Sequence, residues 1–446
     1  MVAMETKLMA ALATIAALSL HHLSLAIAVA DHTRVFSNSS AGFSLPLFTK
    51  PSPNRAIRRG TDGFLYLQHN LTAASVTANF TAIAPENNRH HVTEVHFGTG
   101  NGKRKLLLEL DSRGPITWIQ CIPCRPAATQ TGPMFDGEAS PTFRHVDSRV
   151  CRPPFRPDPA ISRCLFTIKG AGGLMVKGLV SLDEYTREAD GHVFPNFIFG
   201  CAHETWHFSN INTYAGVLAY RQFATQVAGH GLTRSSYCLF REVNRQGFLR
   251  FGDESDIPNK PHYQTTRILP VHGDVHESAY HVSLVGVSLG ESRLDGVHPE
   301  MFARRKDGQG GSIIDVGTPM TIMAQEAYRV VEEAMWMNLE RHGAERVEQA
   351  GYGLCVRATE AIKGRLQPMS LHFAEEEATL VISPKQLFLM VDDKRAGQIA
   401  CLAMRPGRRN VIGALQQVDT RFVYDLKEHM LSFAPESCIQ DTVPVA

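Results

Sequence analysis

The chain has almost no charge imbalance, only 3 tryptophans and, beyond its first thirty residues, no long apolar run. With 45 Lys and Arg against 44 Asp and Glu, the net charge is +1. That excludes a partner selected by bulk charge, such as nucleic acid or an anionic membrane. No segment after Ala30 is long and apolar enough to span a bilayer. No tandem short repeat recurs. The glycines of Gly98-Thr99-Gly100-Asn101-Gly102 precede neither a helix nor a Walker lysine, so they are read as a hairpin turn and not a nucleotide loop. Cys121-x-x-Cys124 follows a strand and has no second pair of the same spacing, which leaves zinc or redox chemistry unsupported. No cofactor and no metal is expected.

What is present begins with a leader. Lys7 precedes an apolar stretch from Leu8 to Ala30, broken by Ser19, His21, His22 and Ser24, and Ala28-Val29-Ala30 is a small-residue cleavage site. A membrane anchor of that length is conceivable, but paired histidines are costly in lipid. Residues 1–30 are therefore read as a signal peptide, and the rest as a secreted monomer, extracellular or vacuolar, with no membrane attachment. The 9 cysteines then point to disulfides, and their odd number leaves one thiol free or joined to another chain. Asn38, Asn70 and Asn79 head glycosylation sequons. Residues 31–90 are polar, with Pro46, Pro51, Pro53 and the basic Arg55, Arg58 and Arg59, and read as a pro-segment or a flexible arm.

From Val92 the texture is that of short strands. Val92–Phe97 alternates, and Leu106–Leu110 follows the glycine turn and runs into Asp111. Further strands are expected at Val193–Phe199, Gly247–Phe251, Tyr280–Leu289, Leu380–Ile382 and Arg421–Leu426. The clearest helix is Ala324–Leu339, with Ala327, Val330, Val331, Ala334 and Met335 on one face. The whole is mainly β. Residues 91–275 and 276–440 are read as two β lobes, followed by a tail, 441–446. The halves echo each other. Each has an apolar run ending in aspartate, Leu110-Asp111-Ser112-Arg113-Gly114 and Ile314-Asp315-Val316-Gly317-Thr318. About 100 residues later comes Gly216-Val217-Leu218 in one half and Val411-Ile412-Gly413 in the other.

Two carboxylates brought together from two halves suit peptide hydrolysis by an activated water. At about 3 Å they cannot both ionise, so they share a proton, one acting as base and the other as acid. Such loops want glycine two residues after each aspartate, so that main-chain N–H groups reach the carboxylates, and then a hydroxyl. Asp315 has Gly317 and Thr318. Asp111 is followed by Ser112 and then has Arg113 and Gly114 in those places. A guanidinium there would favour an ionised Asp111 and pair with it, against a shared proton, unless it points to solvent.

These segments resemble the pepsin-like aspartic proteases, in their plant nepenthesin-like branch, from about Val92 to Cys438. The likeness rests on Thr117-Trp118-Ile119-Gln120-Cys121-Ile122-Pro123-Cys124, Phe197-Ile198-Phe199-Gly200-Cys201, Ser236-Tyr237-Cys238-Leu239, Gly247–Asp253, Gly310–Asp315, Tyr424–Leu426 and Phe433–Pro435. It implies two β-rich lobes flanking a cleft, catalytic Asp111 and Asp315, a protein or peptide substrate, secretion as a zymogen and an acidic optimum. It also implies disulfides Cys355–Cys401 and Cys238–Cys438, and leaves the other five cysteines open. The departures are as specific. Asp-Thr-Gly-Ser becomes Asp111-Ser112-Arg113-Gly114, Val316 removes a hydroxyl that braces the two loops, and Gly170 stands where the flap tyrosine belongs, with Phe166 or Tyr185 as distant substitutes. An impaired endopeptidase is thus expected, the alternative being an inactive binding or inhibitor-like protein. A lesser alternative is a zinc protease, since His203-Glu204-Thr205-Trp206-His207 fits H-E-x-x-H; a loop is expected there, whereas the zinc chemistry needs a helix.

Overall fold

The computed structural model describes residues 42–51, 56–68, 89–170, 173–187, 191–207, 214–241, 246–255, 263–270, 278–305, 309–375, 378–393 and 396–438. The leader, the three sequons and the tail lie outside them. The described chain is mostly β, and its organising feature is a sheet of 15 strands that runs through both halves of the sequence.

Six strands open the order: β1 (Phe43–Pro51), β2 (Ala56–Arg59), β3 (Leu65–Gln68), β4 (Arg89–Phe97), β5 (Arg104–Asp111) and β6 (Trp118–Gln120). β5 alternates in burial, with Leu106, Leu108 and Leu110 buried and Leu107 and Glu109 on the other face only partly covered. It pairs with β4 on one side, Leu108 opposite Thr93. On the other it runs parallel to Gly216–Ala219, Asp111 opposite Ala219. The second half repeats the device. Ser312–Ile314 lies parallel to Asn410–Ile412 in a separate five-stranded sheet, and the chain turns at once into Asp315. The echo in the sequence is therefore the echo of two strand–turn units, each bedding its aspartate strand against a parallel neighbour from about 100 residues downstream.

The halves are sewn together by the last strands. Thr420–Asp425 pairs with Arg234–Cys238, and Met430–Pro435 follows it in the same 15-stranded sheet. The 16-residue helix Gln325–Glu340 buries Ala327, Tyr328, Val331, Met335 and Leu339; Val330 and Ala334 sit at the edge of that face. Residues 43–51 and 56–68 are built in. β1 lies between β4 and Gln246–Phe251, and β3 pairs in parallel with Phe388–Asp393. Among the described residues no helix is long and apolar enough to cross a membrane.

Four disulfides form. Cys238–Cys438 and Cys355–Cys401 are the pairs the resemblance implies, and Cys121–Cys201 and Cys151–Cys164 account for four of the other five. Cys124 is buried and unpaired. Denatured without reductant, the protein should take up one equivalent of an alkylating reagent, at Cys124, by peptide mass spectrometry. Labelling at any second cysteine would contradict this pairing.

Candidate active site

The two aspartate turns meet. Ser112 N–H donates to Asp315 Oδ1 at 3.2 Å, and Val316 N–H donates to Ser112 Oγ at 3.3 Å. Contacts run from one turn to the other in both directions, which brings the turns of Asp111 and Asp315 together. Among the described residues, one hydroxyl bridges from turn to turn. Ser112 is fully buried and supplies it, whereas Val316, also buried, has only methyl groups to offer in return. A Cβ at Gly317 would sit 3.0 Å from Asp111 Cγ and Oδ1, tight enough that the carboxyl would have to give way.

Asp315 is fully buried and crowded with partners. Its Oδ1 accepts from Ser112 N and from Gly317 N, the latter at 3.1 Å. Its Oδ2 accepts from Thr318 Oγ1 at 2.5 Å, and Arg113 Nε lies 2.8 Å from that same oxygen. A carboxylate has about four lone-pair positions, and all are faced by a donor or a cation. Beneath the turn, Asp315 N–H donates to Ile412 O, which also accepts from Gln417 Nε2; Tyr237 OH donates to Gln417 Oε1 at 2.7 Å. Tyr237 and Tyr424 are fully buried and their hydroxyls are 3.0 Å apart. This polar support was not visible in the sequence, since its members are scattered from 237 to 424.

Asp111 is the less provided of the two. Its Oδ1 accepts from Arg113 N at 2.7 Å. Burial, and next the charge of Asp315, push its pKa up to about 7. The expectation for Arg113 needs correction on two counts. Its main-chain N–H does reach Asp111, as Gly317 N–H reaches Asp315, so the lost glycine does not cost that contact. Its guanidinium pairs not with its neighbour Asp111 but with Asp315, from a side chain 47% exposed. Gly114 leaves the following position without a hydroxyl; a Cβ there would press on Ala219 at 3.2 Å.

The flap is the hairpin of Arg163–Lys169 and Met175–Thr186, closed by Gly170 N–H to Leu174 O at 2.8 Å. Both aromatic substitutes are committed to the core. Phe166 is buried beside Trp118 and Val176, and Tyr185 is buried against Phe43, Phe97 and Phe194. The H-E-x-x-H segment lies on the strand Val193–Trp206, where a loop was expected, and His207 follows at the strand's end with φ 58. In an extended chain, residues four apart are roughly 13 Å from one another, too far to share one metal ion. His203 Nδ1 instead lies 2.8 Å from Pro123 O, and Glu204 pairs with Lys177 and accepts from Trp206 Nε1.

Two family models match, in register with the two aspartate turns. The xylanase inhibitor N-terminal model covers residues 93–253 and the xylanase inhibitor C-terminal model residues 279–435. Among curated proteins, the chain is 26% identical to Aspartyl protease family protein 2 of Arabidopsis thaliana, over 77% of this chain and 70% of that one. It is 24% identical to aspartic proteinase nepenthesin-2 of Nepenthes gracilis, over 78% of each. Among solved structures, edgp and lupine conglutin gamma each superpose with a TM-score of 0.60 at 17% identity, covering 92% and 91% of this chain and 98% and 100% of theirs.

The site carries a stability signature. Folded, Asp111 keeps its proton to about pH 7; unfolded, it releases it near the ordinary 3.8. Between these values the folded state holds the extra proton, so stability falls as pH rises through the window. The melting temperature of Asp111→Asn relative to the unaltered protein should therefore climb by several degrees from pH 4 to pH 7. Parallel curves would contradict the assignment.

Proposed function

We propose that this chain, which belongs to the pepsin-like aspartic proteases, is a secreted, restrained endopeptidase. In this reading its cleft binds protein or peptide and cuts it slowly. Asp111, protonated over the acid range, is the acid that hands its proton to the carbonyl oxygen, and Asp315 is the base that takes a proton from the attacking water.

The observation that carries the reading is the position of Arg113 on Asp315. A water poised for attack has to hydrogen-bond the base, and the guanidinium nitrogen stands at the place it would use. Loss of the second bracing hydroxyl at Val316 and of a side chain at Gly170 works in the same direction, the first by loosening the turns and the second by leaving the substrate uncovered. The leader, the disulfides and the family support secretion.

The test is cleavage of a denatured protein at acid pH with and without pepstatin. Slow, pepstatin-sensitive turnover is expected, lost in Asp315→Ala. Arg113→Gly should raise kcat/KM by about tenfold or more, since even one tenfold step needs only about 1.4 kcal/mol of barrier. An unchanged rate in Arg113→Gly would refute the role given to Arg113. If that variant also failed to cut, the inactive binding-protein reading would replace this one.

A further inference from the structure

Residues 43–68 precede every segment that carries the family likeness, yet they hold two distant parts of the molecule. β1 is an interior strand. Phe43–Phe48 pair with Gln246–Phe251, and Leu47–Pro51 pair with β4. Phe43, Leu45 and Leu47 are buried, the Phe43 ring stacks on Phe251 at 4.8 Å between centroids, and Pro46 O accepts from Thr93 Oγ1 at 2.8 Å. Withdrawing β1 would uncover two sheet edges and three core side chains at once.

The same stretch then crosses to the second half. β2 and β3 form a hairpin, and β3 extends the sheet of Phe388–Asp393, Leu65 opposite Leu389 and Leu67 opposite Val391. A polar clamp fixes it. Tyr66 OH donates to Asp62 Oδ2 at 2.5 Å, and Lys363 Nζ donates to Asp62, Tyr66 and Glu360 at 3.1–3.2 Å from a side chain that is 8% exposed.

Leu65 brings this hairpin to the active site. It is fully buried in a small cluster with Met320, Leu389, Ala403 and Leu415. Met320 closes the turn Asp315-Val316-Gly317-Thr318-Pro319, and the far side of that turn is held by Ala414 N–H to Thr318 O at 2.7 Å and Leu415 N–H to Pro319 O at 3.0 Å. Leu65 therefore belongs to the apolar cluster that packs behind both sides of the Asp315 turn.

We infer that residues 43–51 and 56–68 are a permanent strut, retained in the working protein, and that Leu65 is a positioning residue for Asp315. The alternative is a segment shed on activation, as the sequence first suggests. The strut does not depend on the protein being active, so it is tested apart from catalysis. A site-specific protease sequence is placed at residues 83–86 of the full chain, and the cut protein is passed through gel filtration without denaturant. The two pieces should co-elute in equal amounts and separate only in denaturant. Release of the N-terminal piece from a remainder that keeps its circular dichroism and its melting transition would overturn the inference. Release only together with unfolding of the remainder would uphold it.

The positioning role is read separately. Leu65→Ala lowers stability wherever it sits, but a mere packing loss shifts the melting curve equally at all pH values. If Leu65 holds the Asp315 turn against Asp111, Leu65→Ala should also flatten the fall in melting temperature between pH 4 and pH 7. Val381→Ala, at a side chain 52% exposed, should leave that slope unchanged. An unaltered slope in Leu65→Ala would remove the positioning role.

Discussion

A carboxylate with no contact to water has to be satisfied from within the protein, or it costs several kcal/mol. Asp315 is such a group, and the centre of the molecule is arranged around it. Two main-chain N–H groups, one from each aspartate turn, take one oxygen; a threonine hydroxyl and an arginine take the other. Three of these partners suit a pair of carboxylates that share a proton. The fourth, Arg113, completes the electrostatics at the expense of the place where water would bind. One side chain thus meets the folding requirement of a buried charge and works against the chemistry that charge would serve.

The asymmetry extends to the opposite carboxyl. Asp111 has a single main-chain donor and is raised by burial and by its neighbour's charge. The two carboxyls therefore differ: Asp111 keeps its proton to about pH 7, and Asp315 is already engaged by Arg113. Val316 and Gly170 belong to the same pattern, since each withdraws a group from the working side of the turn or the flap while leaving the backbone path intact. Gly317 and Thr318 are retained where a Cβ or a missing hydroxyl would disturb Asp315 itself. The scaffold around the carboxylates is kept more closely than the groups that would handle substrate.

Much of this was legible in the sequence. Strand alternation marked β4, and the apolar-aspartate turns with their downstream echoes marked the segments that the structure pairs in parallel around the site. The helix Gln325–Glu340 announced itself by its periodic face. What failed to show had physical reasons. Arg113 was read against its neighbour in sequence because a linear reading favours near partners; its actual partner lies in the other half of the chain. β1 carries the alternation Phe43, Leu45, Leu47, but Pro46 and Pro51 and the basic residues beyond made the stretch read as loose. The His203–His207 spacing pointed to a metal only if helical, and the strand that holds it is fixed by pairing with Met175–Thr186, which no local pattern reveals. Cysteine spacing could not separate Cys121–Cys201 from a Cys121–Cys124 motif.

The central claim is that Arg113 occupies the water position on Asp315. A high-resolution crystal structure grown near pH 5 reads this most directly, through the electron density between the two carboxyl groups. The account predicts the Arg113 guanidinium in contact with Asp315 Oδ2, with no water bridging Asp111 and Asp315. An Arg113 side chain turned to solvent, with an ordered water held between the two aspartates, would contradict it.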